Sequence, residues 1–213
     1  MLSPDLPADA WGDELPLFPL RSVLFPGGLL GLKVFEARYL DLVTDCLRRQ
    51  RPFGVVCLLQ GSDVRAGQHD ARFESTGVLA RLDDVDSEQA GLLRVRCTGT
   101  QRFRLLGTPR QQADGLWTTA FELLPDDAEQ APASEMLPTV KALASAIASL
   151  KAQGSAPFNE PYRLDDAGWV ANRWCEILPI ALGAKQKLME LPEPDIRLQL
   201  VHEYLRGKGV VED

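Results

Sequence analysis

Hydrophobic and polar positions change rhythm once along this chain. From Leu15 to about Leu124 the apolar residues come in short runs broken by turn residues; beyond Ser134 they recur every three or four positions. Leu15–Val23 and Leu29–Val34 read as the first two strands, with Phe25-Pro26-Gly27-Gly28 turning between them. Pro16 and Pro19 cannot donate to a ladder, which places the first strand at an edge or gives it a bulge. Phe35, Tyr39, Leu42, Cys46 and Leu47 repeat at helical spacing and predict an amphipathic helix over Phe35–Gln50 with Phe35 in the core. Arg48, Arg49 and Arg51 complement the helix dipole at its end, and Pro52 stops it. Phe53–Leu59 is a continuous apolar run, as expected of a strand buried on both faces. Gly77–Leu82, Leu92–Cys97, Gln101–Leu106 and Leu116–Leu124 supply further strands. Leu93-Arg94-Val95-Arg96-Cys97 alternates between an apolar face and an arginine face.

The stretch PDDAEQAPAS, residues 125–134, holds no large apolar residue and reads as a linker. After it, Met136, Val140, Leu143, Ile147 and Leu150 form a core-facing helical stripe. A loop with Pro157 and Pro161 precedes helices around Asp166–Leu178, Lys185–Leu191 and Asp195–Arg206, and Gly207 stands where a C-cap glycine belongs. The chain thus divides into an acidic leader (1–14), a β-rich domain (15–124), a linker (125–134), a helical subdomain (135–207) and a short tail (208–213).

Charge and cysteine usage narrow the functional classes. A net charge of −7 argues against non-specific attraction to nucleic acid or to anionic membranes. Cys46, Cys57, Cys97 and Cys175 are scattered with no C-x-x-C pair, so free buried thiols in a reducing compartment are expected. The leader carries acids where a secretory signal needs a basic region, and no apolar run is long enough to span a bilayer. A cytoplasmic location is the expectation.

No catalytic constellation emerges. Gly27-Gly28-Leu29-Leu30-Gly31 matches no nucleotide-binding fingerprint and leads into a strand, not into the helix N-terminus that would hold a phosphate. Asp84, Asp86 and Glu88 alternate like the start of a calcium loop, but Gln89 occupies the position of the required glycine, and a solvated hairpin tip is expected there. His69 and His202 are the two imidazoles, and neither has a local nucleophile partner. Arg94, Arg96, Arg102, Arg104 and Arg110 make a local basic patch near Phe103 and Trp117. On a sheet face, such a patch could bind RNA, or form a solvated surface paired with acids.

Four stretches together carry a resemblance. Leu-Pro-Leu-Phe-Pro-Leu-Arg at 15–21, Leu-Phe-Pro-Gly at 24–27, Phe-Glu-Ala-Arg-Tyr at 35–39 and Gly-Thr-Gln-Arg-Phe-Arg at 99–104 resemble the N-terminal domain of the ATP-dependent protease Lon, as does the ending around Leu178-Pro179 and Lys185–Leu198. The likeness runs from about residue 15 to 206. It implies an α+β fold, a PUA-like mixed β pseudo-barrel with an inserted helix followed by a C-terminal helical bundle. It also implies a non-catalytic module that recognises polypeptide segments or a protein partner, with no cofactor and no metal, and a role as an adaptor in protein quality control or proteolysis. The P-loop and the Ser–Lys dyad of the full protease are not in this sequence, so a stand-alone domain is expected. The candidate polypeptide contacts are Leu24, Phe25 and Pro26, although core or turn packing is the favoured reading of these residues. The alternative is an RNA-binding PUA-like module using Arg94, Arg96, Arg102 and Arg104. The Phe35–Tyr39 motif reads as structural, with Glu36 and Arg38, two apart on a helix, seeking different partners.

Overall fold

The computed structural model describes residues 14–60 and 71–212, and these form two compact units. Of these described residues, the first unit takes those up to Leu24 and from Leu30 to Leu124, and the second takes Phe25–Leu29 and those from Pro125 onward.

Among the described residues of the first unit are the strands β1 (Leu15–Leu20), β2 (Leu29–Val34), β3 (Phe53–Gln60), β4 (Arg72–Gln89), β5 (Leu92–Gln111) and β6 (Trp117–Leu123) and the helix α1 (Ala37–Arg49). The sheet order is β2-β5-β4-β3-β1-β6, and a further pairing of β5 with β6 closes it into a pseudo-barrel. The closure buries Leu15, Leu17, Val56, Leu79, Phe103 and Trp117 together. Two glycines make room for the Phe103 ring: a Cβ on Gly54 or Gly77 would lie 2.8 or 2.7 Å from its Cζ.

β1 is not an edge strand. It lies parallel to β3 and antiparallel to β6, and both prolines are accommodated by ladder ends. The β3 ladder begins at Leu17, one residue after Pro16, and the β6 ladder ends at Leu17, before Pro19. Each proline can therefore turn its donorless nitrogen toward the side where no partner strand runs. The segments expected as separate strands at Leu92–Cys97 and Gln101–Leu106 are one strand, β5, reaching Gln111. The acidic run Asp83–Glu88 belongs to β4, and the hairpin turns instead at Ala90-Gly91, where Gly91 has φ +77°.

Phe35 corrects the helical reading. α1 starts at Ala37, and its N-cap Glu36 is extended (φ −78°, ψ 133°). Phe35 therefore follows the period-two alternation of β2, in which Val34 points inward, and it is 68% exposed. The same extended backbone corrects the reading of Glu36 and Arg38. They are not two apart on a helix, and Arg38 donates to Glu36 Oε2 through Nε (3.2 Å) and Nη2 (2.8 Å). Its Nη1 donates to the Gly115 carbonyl at 2.8 Å.

The second unit holds a 3-10 turn (Ser134–Met136) and helices α2 (Leu137–Ala152), α3 (Ala167–Ile177), α4 (Leu182–Glu190) and α5 (Pro194–Gly207). α3 packs against α5. Thr139 and His202 share a buried 2.8 Å hydrogen bond between Oγ1 and Nδ1, and Trp174 Nε1 donates to the Thr139 carbonyl at 3.1 Å. Arg197, 1% exposed, donates to Asp127, Asn172 and the carbonyls of Leu188 and Leu191. Residues 125–134 are accordingly more than a spacer, because Asp127 neutralises this buried guanidinium and the Gln130 carbonyl accepts from Ala167 N. Gly207 remains inside α5; the left-handed glycine after the helix is Gly209, φ +67°.

Candidate functional site

The first unit opens a groove of about 340 Å³ between the end of β1 and the end of β2. Phe18 and Leu20 come from β1, Val34 and Phe35 from β2 and its exit, Tyr39 from α1 and Leu58 from β3. The floor is built by stacking: the Phe18 and Tyr39 rings lie 4.1 Å apart at 23°, and Phe53 supports Phe18 from 5.8 Å. Phe35 forms a lip whose ring is left to solvent.

Three charged residues rim the groove: Arg21, Lys33 and Glu36. The Glu36 carboxylate is occupied by Arg38. Lys33 is 69% exposed and approaches Glu88 only at 3.9 Å, while Arg94 holds the other oxygen of that carboxylate. Hydrogen bonding from Arg94 keeps the Glu88 carboxyl below its usual range, with Lys33 adding the smallest share.

Sequence reasoning looked for polypeptide contacts at Leu24, Phe25 and Pro26. Phe25 is 0% exposed and Leu24 7%, and Pro26 is half-buried. The turn is instead held from within the second unit. Arg173 of α3 donates through Nη2 to the Pro26 carbonyl (2.8 Å) and through Nη1 to the Gly27 carbonyl. The same guanidinium pairs with Glu176 at 2.8 Å. Gly27 needs its φ of +74°, and a Cβ on Gly28 would lie 2.3 Å from Glu176 Oε1. The Gly pair thus serves a turn clamped by an ion pair. Burial pushes the Glu176 carboxyl up to about 7, against the opposing pull of Arg173 and Lys185.

The arginines of the RNA reading do not make a cationic strip. Arg94 pairs with Glu88, Arg104 with Glu122 (2.8 Å) and Arg110 with Glu14. Arg96 stands opposite Asp84 in the β4–β5 ladder, and Arg102 is buried. Opposite charges alternate across this face, as expected of cross-strand pairing on a solvated sheet. The acids of the calcium-loop reading are spent in the same ladder, Asp86 lying opposite Arg94.

The remaining nucleophile and base candidates are structural where they are described. His202 is buried against Thr139, and His69 lies outside the described residues. All four cysteines are free and buried, and burial pushes the thiols of Cys46, Cys97 and Cys175 up to about 12. Thiols held that far from ionisation supply no thiolate at neutral pH. Sequence reasoning missed the groove altogether. The signal was present at Phe35, which fits both the outward phase of β2 and the inward phase of an early helix start; only the Glu36 backbone separates the two.

The described residues thus form a strand pseudo-barrel that carries an apolar groove and a helical unit that carries a tethered turn. Residues 14–207 match the family of the ATP-dependent protease La (LON) substrate-binding domain, and the chain belongs to that family. A Lon protease of Anaeromyxobacter dehalogenans is 25% identical over 208 residues, 96% of this chain and 24% of that protein. Chicken cereblon is 26% identical over 113 residues, 53% of this chain and 24% of that protein. The chain therefore spans about a quarter of the length of these relatives. Among solved structures, a Lon N-terminal domain protein from Xanthomonas campestris superposes with a TM-score of 0.72 at 32% identity, covering 90% of this chain and 98% of that one. The N-terminal domain of a Lon protease from the Mycobacterium avium complex shares the fold, with a TM-score of 0.62 at 16% identity over 91% of this chain and 98% of that one.

Proposed function

We propose that this protein is a non-catalytic module that binds extended segments of unfolded or partly folded polypeptide in the groove between β1 and β2, and that it acts as an adaptor in protein quality control or proteolysis. The observation that carries this reading is the exposed Phe35 at the lip of an aromatic-floored groove. An extended chain suits such a site, because it can lay an apolar side chain on Phe18 and Tyr39 while its backbone stays in solvent. Family membership supports the polypeptide class of ligand, and the relatives named as Lon proteases supply the link to proteolysis. The interleaved acids of the β4–β5 face give RNA no comparable foothold.

The test is fluorescence anisotropy with labelled, reduced and carboxymethylated α-lactalbumin as an unfolded probe and the native protein as control. Saturable binding of the unfolded form, abolished by Phe35→Asp, is the expected result. Equal binding by wild type and Phe35→Asp would remove the groove from the proposal.

A further inference from the structure

Resting on that polypeptide-binding reading, we infer that the bound segment joins the outer edge of β2 as a further strand, and that the groove therefore takes segments in which apolar and polar residues alternate. One edge of the segment's backbone pairs with β2 while its other edge stays in solvent. In the sheet order β2 stands last, and β5 is its one neighbouring strand among the described residues. β6, at the other end of the order, is paired on both sides, by β1 and by β5. A strand with one neighbour presents a row of unpaired N–H and C=O groups on its other side, a template for an extended chain. Within the first unit that row runs from Leu30 to Val34, where β2 meets the groove, and the backbone is still extended at Glu36.

The opposite wall is a poorer template. The end of β1 loses β6 after Leu17 and continues beside β3 as Phe18-Pro19-Leu20. Pro19 has no N–H, so the side that β6 leaves lacks a donor at its centre. β2 carries no proline, and each of its residues keeps both backbone groups. The faces of β2 then set the side-chain pattern. Leu32 and Val34 are buried, whereas Gly31 and Lys33 are exposed. A strand paired to β2 shares these two faces. Every second side chain of the ligand turns inward beside Val34, toward Phe18 and Tyr39, and those between turn to solvent. Alternating apolar and polar residues satisfy both faces, while a continuous apolar run leaves half its side chains in water.

The test uses two short fluorescein-labelled peptides of the same composition. In one, Phe, Val and Leu alternate with Ser or Thr; in the other, the apolar residues form one block. By anisotropy the alternating peptide is expected to bind roughly fivefold or more tightly than the block peptide. By NMR, alternate backbone amides between Leu30 and Val34 should exchange with solvent readily in the free protein. Saturation with the alternating peptide should slow them by roughly tenfold or more, as new backbone hydrogen bonds form. Saturable binding that Phe35→Asp abolishes, but with β2 exchange unchanged, would overturn strand addition and leave polypeptide binding standing. Equal affinity for the two peptides would overturn the alternating pattern. Binding of neither the peptides nor unfolded α-lactalbumin would overturn this inference together with the polypeptide-binding reading.

Discussion

The guanidinium of Arg173 closes on the carbonyl of Gly27, across 146 residues of sequence, and fixes the turn that enters β2. One fully buried cation meets two backbone acceptors and one carboxylate. Replacing Arg173 by Met should destabilise the protein by about 3–5 kcal/mol, the scale of breaking a buried charge network by removing one partner. Arg173→Lys should recover only part of this, because an ammonium cannot span the forked acceptors. Chemical denaturation of both variants checks the order.

The turn glycines should be intolerant for different reasons. Gly27→Ala places a Cβ at φ +74°, and Gly28→Ala drives one to 2.3 Å from Glu176 Oε1 and 2.9 Å from the Phe25 carbonyl. Each should cost on the order of 1–3 kcal/mol, the first through backbone strain and the second by displacing the carboxylate. Gly31→Ala, with open space around its Cα, should leave the melt nearly unchanged.

The raised Glu176 carboxyl sets a pH dependence of definite sign. Below its ordinary value of 4.5 the group is protonated in both the folded and the unfolded chain. Between 4.5 and about 7 the folded protein retains the proton that the unfolded chain has released, so stability falls as pH rises through that window. The slope from this group is at most about 1.4 kcal/mol per pH unit. Glu176→Gln keeps an acceptor for Arg173 and should flatten the profile between those limits in urea melts. An unchanged slope would refute the assignment.

Phe35 and Phe103 should behave as opposites. Phe103→Ala empties the barrel core and should cost about 3–5 kcal/mol. Phe35→Ala removes a side chain that is 68% exposed and should shift stability by no more than about 0.5 kcal/mol. Its loss should appear in binding of unfolded protein instead, read by anisotropy.

What the sequence made legible was whatever local periodicity controls. The alternation in β5, the helical stripe of α2 and the change of texture near Leu124 are all short-range patterns, and the structure carries each of them. The errors lie where two periods meet or where a partner is remote. Phe35 was ambiguous because strand and helix phases both accept it, and the outcome turns on one extended residue, Glu36. Pro16 and Pro19 suggested an edge strand, whereas staggered ladder ends let β1 run between two neighbours. The purpose of the Gly pair was hidden because Arg173 and Glu176 lie far along the chain, and no local pattern announces a clamp of that sequence separation.

Because Phe25–Leu29 belongs to the helical unit, a single cut at residue 125 cannot divide this protein into its two halves. A fragment beginning there would carry Arg173 and Glu176 with no turn to receive them. Synthesis imposes the same order on the ribosome: the Pro26-Gly27 turn leaves the exit tunnel early and waits for α3. Folding of the helical half therefore needs both the Pro26-Gly27 turn and α3, and truncations that remove either one should leave that half less stable.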